Sequence, residues 1–142
     1  MVRRLKKGPR YYLELEAELR SIIEDINHRV SAVIVEGPHD ETALRNSGFK
    51  THIIQFCSSG MPVFAFEDEI VANYKDLTVL VLLDFDDEGT KMADRVAREV
   101  EEKGVRVEHF LRKRIGKLLL KERIYRLEEI WRIASKAACW TT

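Results

Sequence analysis

Thr78-Val79-Leu80-Val81-Leu82-Leu83 runs directly into Asp84-Phe85-Asp86-Asp87-Glu88-Gly89, an apolar block that stops in acid. A strand built of Val and Leu without polar alternation must be covered on both faces, as in a parallel sheet between two layers of helix. On its C-terminal side, residues 88–102 repeat apolar positions at Met92, Ala93, Val96, Ala97 and Val100 and stop at Gly104, which predicts a helix. Val105–Phe110 predicts a fourth strand. On the N-terminal side, residues 62–75 read as a helix with Pro62 in or before its first turn. Thr51–Phe56 reads as a strand entering the loop Ser58-Ser59-Gly60, and residues 39–46 as a short helix closed at Asn46-Ser47-Gly48. Val30–Val35 is a second apolar run, ending at Glu36-Gly37-Pro38. Residues 12–26 space Tyr12, Leu15, Leu19, Ile22, Ile23 and Ile26 three or four apart, an amphipathic helix. From Leu111 to about Ala138 two helical stretches are expected, broken near Ile124 or Tyr125. The alternation predicts an α/β fold, Rossmann-like, with about four mostly parallel strands flanked by helices, an N-terminal helix and a C-terminal helical extension. The 142 residues suit one such unit. Its parts are 1–29 (basic arm and amphipathic helix), 30–110 (the sheet domain) and 111–142 (basic helical extension).

Ligands of a parallel sheet bind beyond the carboxyl ends of its strands. That rule selects Glu36, Asp84 and Asp86, which are predicted to converge at one rim. Carboxylates so close raise one another's pKa, and a divalent cation relieves the repulsion. An all-oxygen donor set with neither His nor Cys favours Mg²⁺, or Mn²⁺ in its place, over Zn²⁺. Gly37 and Gly89 fit tight strand-to-helix turns where backbone approaches a phosphate or a metal. Acids at strand ends can instead cap the next helix, Asp40 and Asp87 above all. Capping alone explains less well the composite of Glu-Gly-x-x-Asp, Asp-x-Asp-x-x-Gly and about forty residues of strand and helix between them.

Val33-Ile34-Val35-Glu36-Gly37-Pro38-His39-Asp40 and Val81-Leu82-Leu83-Asp84-Phe85-Asp86-Asp87-Glu88-Gly89 resemble the two motifs of the Toprim domain. That domain is the catalytic fold of topoisomerases, bacterial-type primases, certain nucleases and ribosomal RNA maturases, and the resemblance covers roughly residues 30–110. It implies that Glu36, Asp84 and Asp86 bind Mg²⁺ as one or two ions and that Glu36 is a general acid or base. It further implies that Asp40, Asp87 and Glu88 support these ligands or add one. Asp87 stands where many topoisomerases carry Arg. Two Cys residues are too few for the zinc module of bacterial primases. The chain is most similar to small stand-alone Toprim proteins of archaeal and ribosomal RNA maturase type. The implied function is Mg²⁺-dependent phosphodiester chemistry on RNA or DNA, as a nuclease or RNA-processing enzyme, with primase-like nucleotidyl transfer as a variant. The alternative is a non-catalytic nucleic-acid-binding module serving as adaptor or subunit. A receiver-like or nucleotide-binding domain is a weaker third reading, since neither GxGxxG nor GxxxxGKS/T occurs.

The 24 basic and 24 acidic side chains cancel in sum but not along the chain. Arg3, Arg4, Lys6, Lys7 and Arg10 form an acid-free arm of +5, and residues 106–126 set eight cations against Glu108 and Glu122, or +6. Residues 84–102 set eight acids against three bases, or −5. Arg3, Arg4, Lys6, Lys7, Arg112, Lys113, Arg114 and Lys117 are therefore the expected phosphate contacts, holding backbone without reading sequence. Each run also reads as a solvated helix face.

Cys57 and Cys139, with no second pair and no CxxC, fit a reducing cytoplasm. Neither a signal peptide nor an apolar run long enough to span a bilayer is read. Cys57 reads as a core or strand-end thiol near the rim, and Ser58 and Ser59 as loop caps or phosphate contacts. His39 reads as a substrate contact or a surface residue at a helix start; His52 and His109 are placed in strands and His28 at a helix end. Tyr12 and Trp131 fall on apolar helical faces and suggest core or oligomer contacts, so a protein partner or homo-oligomer is left open. Tyr11 and Trp140 are further aromatic candidates for base stacking. One Gln and three Asn beside 34% charged residues hint at a thermophile.

Overall fold

The structure, a computed structural model, describes residues 7–57 and 60–139. Arg3, Arg4, Lys6, Ser58, Ser59 and Trp140, singled out above, lie outside the described residues.

Four strands, β1 (Ala32–Val35), β2 (His52–Gln55), β3 (Thr78–Val81) and β4 (Arg106–Val107), form one parallel sheet in the order β2-β1-β3-β4. β1 and β3 are central, and every residue of β1 is buried. The long Val and Leu blocks therefore mark the strands covered on both faces.

Side chains alternate across the pleat. Val33, Val35, Leu80 and Leu82 face α1 (Pro9–Arg29), α5 (His109–Leu120) and α6 (Trp131–Ala138), and Leu44 of α2 (Pro38–Asn46) joins that layer. Ala32, Ile34, Val79, Val81 and Leu83 face α3 (Val63–Tyr74) and α4 (Asp87–Glu102). Helix α1 thus shares one continuous core with the sheet and with the C-terminal helices. Within the α3–α4 layer, Glu67 is 1% exposed. Burial and then Glu99 push its carboxyl up to about 7.

Three expectations are corrected. Val30 is not in β1: its N–H closes α1 on the Ile26 carbonyl at 3.1 Å. The fourth strand ends at Val107 rather than Phe110, because the last ladder bond is Glu108 N–H to the Val79 carbonyl. The Glu108 carboxylate then accepts from Leu111 N–H and starts α5, so His109 and Phe110 are helical. Of the core and oligomer readings of Trp131, the core one falls: Trp131 is 57% exposed, and the buried stripe is Ile130, just before α6, with Ile133 and Ala137.

From β1 the chain moves out to β2, then crosses back over β1 to reach β3 on its other side. Strand order reverses between β1 and β3, which opens a crevice beyond their carboxyl ends.

Candidate metal centre

Glu36 is the first residue past β1, and Asp84 follows β3 after Leu82 and Leu83. Leu82 and Leu83 both donate to the Ile34 carbonyl, at 2.9 and 3.4 Å, and Leu83 takes a left-handed φ of 47°. That conformation costs a non-glycine residue about 1 kcal/mol, and strain of this kind collects where a strand end must be re-aimed.

One carboxylate oxygen each from Glu36, Asp40 and Asp84 lies within 4.8 Å of the other two. Asp40, in the first turn of α2, is only 7% exposed and accepts Gly37 N–H at 3.1 Å. Asp84 Oδ1 accepts Leu127 N–H at 3.0 Å. Burial first, then the charge and hydrogen bond of Asp84, then Asp40 and Asp86, push the Glu36 carboxyl above its ordinary range. Burial likewise raises Asp40, with Asp84 and Glu128 adding to it and the Gly37 N–H opposing it. Acids held together and hard to ionise together fit a hard divalent cation such as Mg²⁺ or Mn²⁺, which their all-oxygen set matches.

The tight group differs from the sequence grouping by one residue. Asp86 caps α4, its Oδ1 accepting Gly89 N–H at 2.7 Å, and it borders the cleft outside the close triad. Asp40 stands in the triad in its place. Asp87 and Glu88 are exposed in the first turn of α4, where the helix dipole favours acids, and Glu88 also borders the cleft. The cleft, about 560 Å³, further takes in His39, Phe56, Cys57 and Met92. Cys57 is exposed, with its Sγ 3.9 Å from Glu36 Oε1. Burial and the neighbouring carboxylates push its thiol up, away from a reactive thiolate.

The C-terminal extension builds one wall of this site. Phe85, inside the second motif, lies under the Arg112 guanidinium at 4.6 Å and against Gly116, where an added Cβ would come within 2.8 Å of the ring. Phe85 N–H donates to the Tyr125 carbonyl at 2.6 Å. Arg126 and Glu128 border the cleft. Sequence reasoning missed both as site residues; Arg126 counted only as one charge of the basic stretch.

Several expected phosphate contacts have structural partners. Lys7 Nζ bonds Glu122 at 2.8 Å and the Lys121 carbonyl at 2.9 Å. Arg114 pairs with Asp25 at 2.8 Å, and Arg112 Nε donates to the Leu82 carbonyl at 3.2 Å. Lys113 and Lys117 are exposed on α5.

The two motif glycines differ. A Cβ at Gly89 would overlap the Asp84 carbonyl oxygen and come 2.9 Å from Asp86 Oδ1, whereas one at Gly37 meets nothing within 4 Å. Gly89→Ala is therefore expected to cost about 2–3 kcal/mol of stability and Gly37→Ala within about 0.5 kcal/mol. Urea unfolding of the two variants checks this, and equal losses contradict it.

The sequence pattern of the Toprim-like family matches residues 33–117. A UPF0292 protein of Thermococcus onnurineus is 32% identical over 111 residues, covering 78% of this chain and 80% of the relative. One from Pyrococcus horikoshii is 30% identical over 120 residues, covering 84% and 86%. In fold, the chain is similar to a solved structure of a putative protein from Aquifex aeolicus, with a TM-score of 0.56 at 24% identity over 83% of this chain and 96% of that one. Among the described residues, no helix is long and apolar enough to cross a membrane.

Proposed function

The chain belongs to the Toprim-like family, and on that premise we propose that it carries out Mg²⁺-dependent phosphodiester cleavage on RNA or DNA in a reducing cytoplasm. The observation that carries this reading is the meeting of Glu36, Asp40 and Asp84 within 4.8 Å at the crevice between β1 and β3.

Glu36, Asp40 and Asp84 would hold the cation, which supplies Lewis-acid stabilisation of phosphate charge and a more acidic bound water. Asp86 acts differently, since its bond to Gly89 N–H fixes the start of α4 and keeps negative charge at the rim. Glu36 is exposed enough to meet substrate. That suits it to exchange a proton with a phosphodiester oxygen, an effect of about 10²–10⁴-fold. Phe56, Leu83 and Met92 give the cleft an apolar side. Lys113 and Lys117, one helical turn apart and exposed, offer sequence-independent backbone contacts.

The test is end-labelled single-stranded and structured RNA and DNA, incubated with the protein in Mg²⁺, in Mn²⁺ and in EDTA. Cleavage of at least one substrate is expected with metal and none in EDTA, with Glu36→Gln slower by about 10²–10⁴-fold. Cleavage that persists in EDTA contradicts the mechanism. Metal-dependent binding without any cleavage replaces it with the adaptor reading.

A further inference from the structure

Six carboxylates border the cleft: Glu36, Asp40, Asp84, Asp86, Glu88 and Glu128. Even with a divalent ion bound, such a rim repels a polyanion unless a cation faces it. Among the described residues bordering the cleft, Arg126 is the one Lys or Arg.

Its placement is fixed from both sides. The residue before it, Tyr125, accepts Phe85 N–H at 2.6 Å, and the residue after it, Leu127, donates to Asp84 Oδ1 at 3.0 Å. Arg126 is extended, with φ −107° and ψ 130°, and is thus strung between two anchors on the Asp84-Phe85 pair. Its side chain remains 65% exposed, and the ion pair the structure gives it, with Glu128 Oε1 at 3.9 Å, is long and solvated. A pair of that kind contributes little and releases its guanidinium readily. The contrast with Lys7, Arg112 and Arg114, all tied to internal partners, is direct.

We propose that Arg126 is the phosphate-binding residue of this site, its guanidinium holding a non-bridging oxygen of the nucleic-acid phosphate that lies over Glu36 and Asp84. This rests on the nucleic-acid reading given above. Arg suits this role because its planar fork matches two phosphate oxygens at once and it stays charged beside acids. The rival account is a counter-charge that only offsets the carboxylates. The two accounts separate on oligonucleotide binding: removing a mere counter-charge changes cation binding and leaves oligonucleotide binding as it was, while removing a phosphate contact weakens oligonucleotide binding without weakening cation binding.

The experiment is fluorescence anisotropy of a labelled single-stranded oligonucleotide in Ca²⁺ and in EDTA, across a salt series, with wild type, Arg126→Ala and Arg126→Lys. Mg²⁺-induced thermal shifts are recorded on the same proteins. Arg126→Ala is expected to weaken oligonucleotide binding about tenfold or more and to flatten the logarithmic salt slope by about 0.7–0.9. Arg126→Lys recovers part of the affinity, and the Mg²⁺ shift does not shrink in either variant. Wild-type oligonucleotide affinity and slope in Arg126→Ala overturn the assignment and leave the nucleic-acid reading standing. So does a changed Mg²⁺ shift with unchanged oligonucleotide binding. If the wild type itself binds no oligonucleotide, with or without metal, the nucleic-acid reading falls and this assignment with it.

Discussion

Asp84→Asn is expected to slow metal-dependent cleavage by about 10³-fold or more, and Asp86→Asn by only about ten- to hundredfold. Asp84 belongs to the triad whose oxygens meet within 4.8 Å, so the substitution removes a charged ligand. Stabilisation of phosphate charge by a metal is worth several kcal/mol, and each 1.4 kcal/mol is tenfold in rate. Asp86 acts through Gly89 N–H and the start of α4, and partners of that kind typically matter by about 10–100-fold. Asn also remains a good helix cap, so Asp86→Asn keeps the turn. The Asn carbonyl at position 84 can still accept Leu127 N–H, and one repelling charge is gone, so metal-free Asp84→Asn should melt no lower than wild type. Single-turnover rates at saturating protein measure both variants. A larger loss at Asp86 contradicts the placement of Asp40, rather than Asp86, beside Glu36 and Asp84.

Glu122→Ala is expected to lower the unfolding free energy by about 1.5–3 kcal/mol, the range for hydrogen bonds to a charged group, because the two lysines it leaves behind stay about half exposed to solvent. The Glu122 side chain is 1% exposed and is bonded by Lys7 and Lys136, each at 2.8 Å, with the Tyr11 hydroxyl at 3.5 Å. It thereby joins the start of the described chain, the turn after α5 and helix α6. Removing it leaves two ammonium groups against a space built for a carboxylate. Burial alone would raise its pKa, but the hydrogen bonds from Lys136 and Lys7 outweigh that and hold it below the ordinary Glu value. As pH falls the unfolded chain takes up this proton first. The stability from Glu122 is therefore complete above about pH 4.3 and is lost as pH falls through the depressed folded value. Glu36 and Asp40 carry the opposite sign: raised in the folded state, they contribute stability below their ordinary values that disappears as pH rises through the folded ones. Urea unfolding as a function of pH resolves the Glu122 part. Wild-type stability in Glu122→Ala, or an unchanged acid limb, contradicts it.

The sheet was legible because β1 and β3 are apolar on both faces, which a parallel sheet between two layers of helix covers. Glu36 and Asp84 were legible because they are the first acids past those strands. Asp40 and Asp86 were harder to separate: both sit in the first turn or cap of a helix, and both accept a backbone N–H there. Which of them also reaches the cluster depends on how α2 and α4 leave the sheet, and spacing does not encode that. β4 looked long because Val105, Val107 and Phe110 carry strand-like side chains, yet Glu108 as a cap redirects the chain after Val107. The wall made by Gly116, Tyr125, Arg126 and Leu127 was hidden for another reason. Its contacts with Asp84 and Phe85 join residues far apart in sequence, and a charge count sees only a basic segment.

Whether Glu36, Asp40 and Asp84 share a divalent cation is measured most directly by anomalous diffraction from a crystal of the protein soaked in Mn²⁺. A shared ion predicts a peak in the cleft between these carboxylates, with oxygen ligands at about 2.0–2.2 Å, absent from the same experiment on Asp84→Asn. Carboxylates turned apart with no peak between them, or a peak of equal strength in Asp84→Asn, would contradict it.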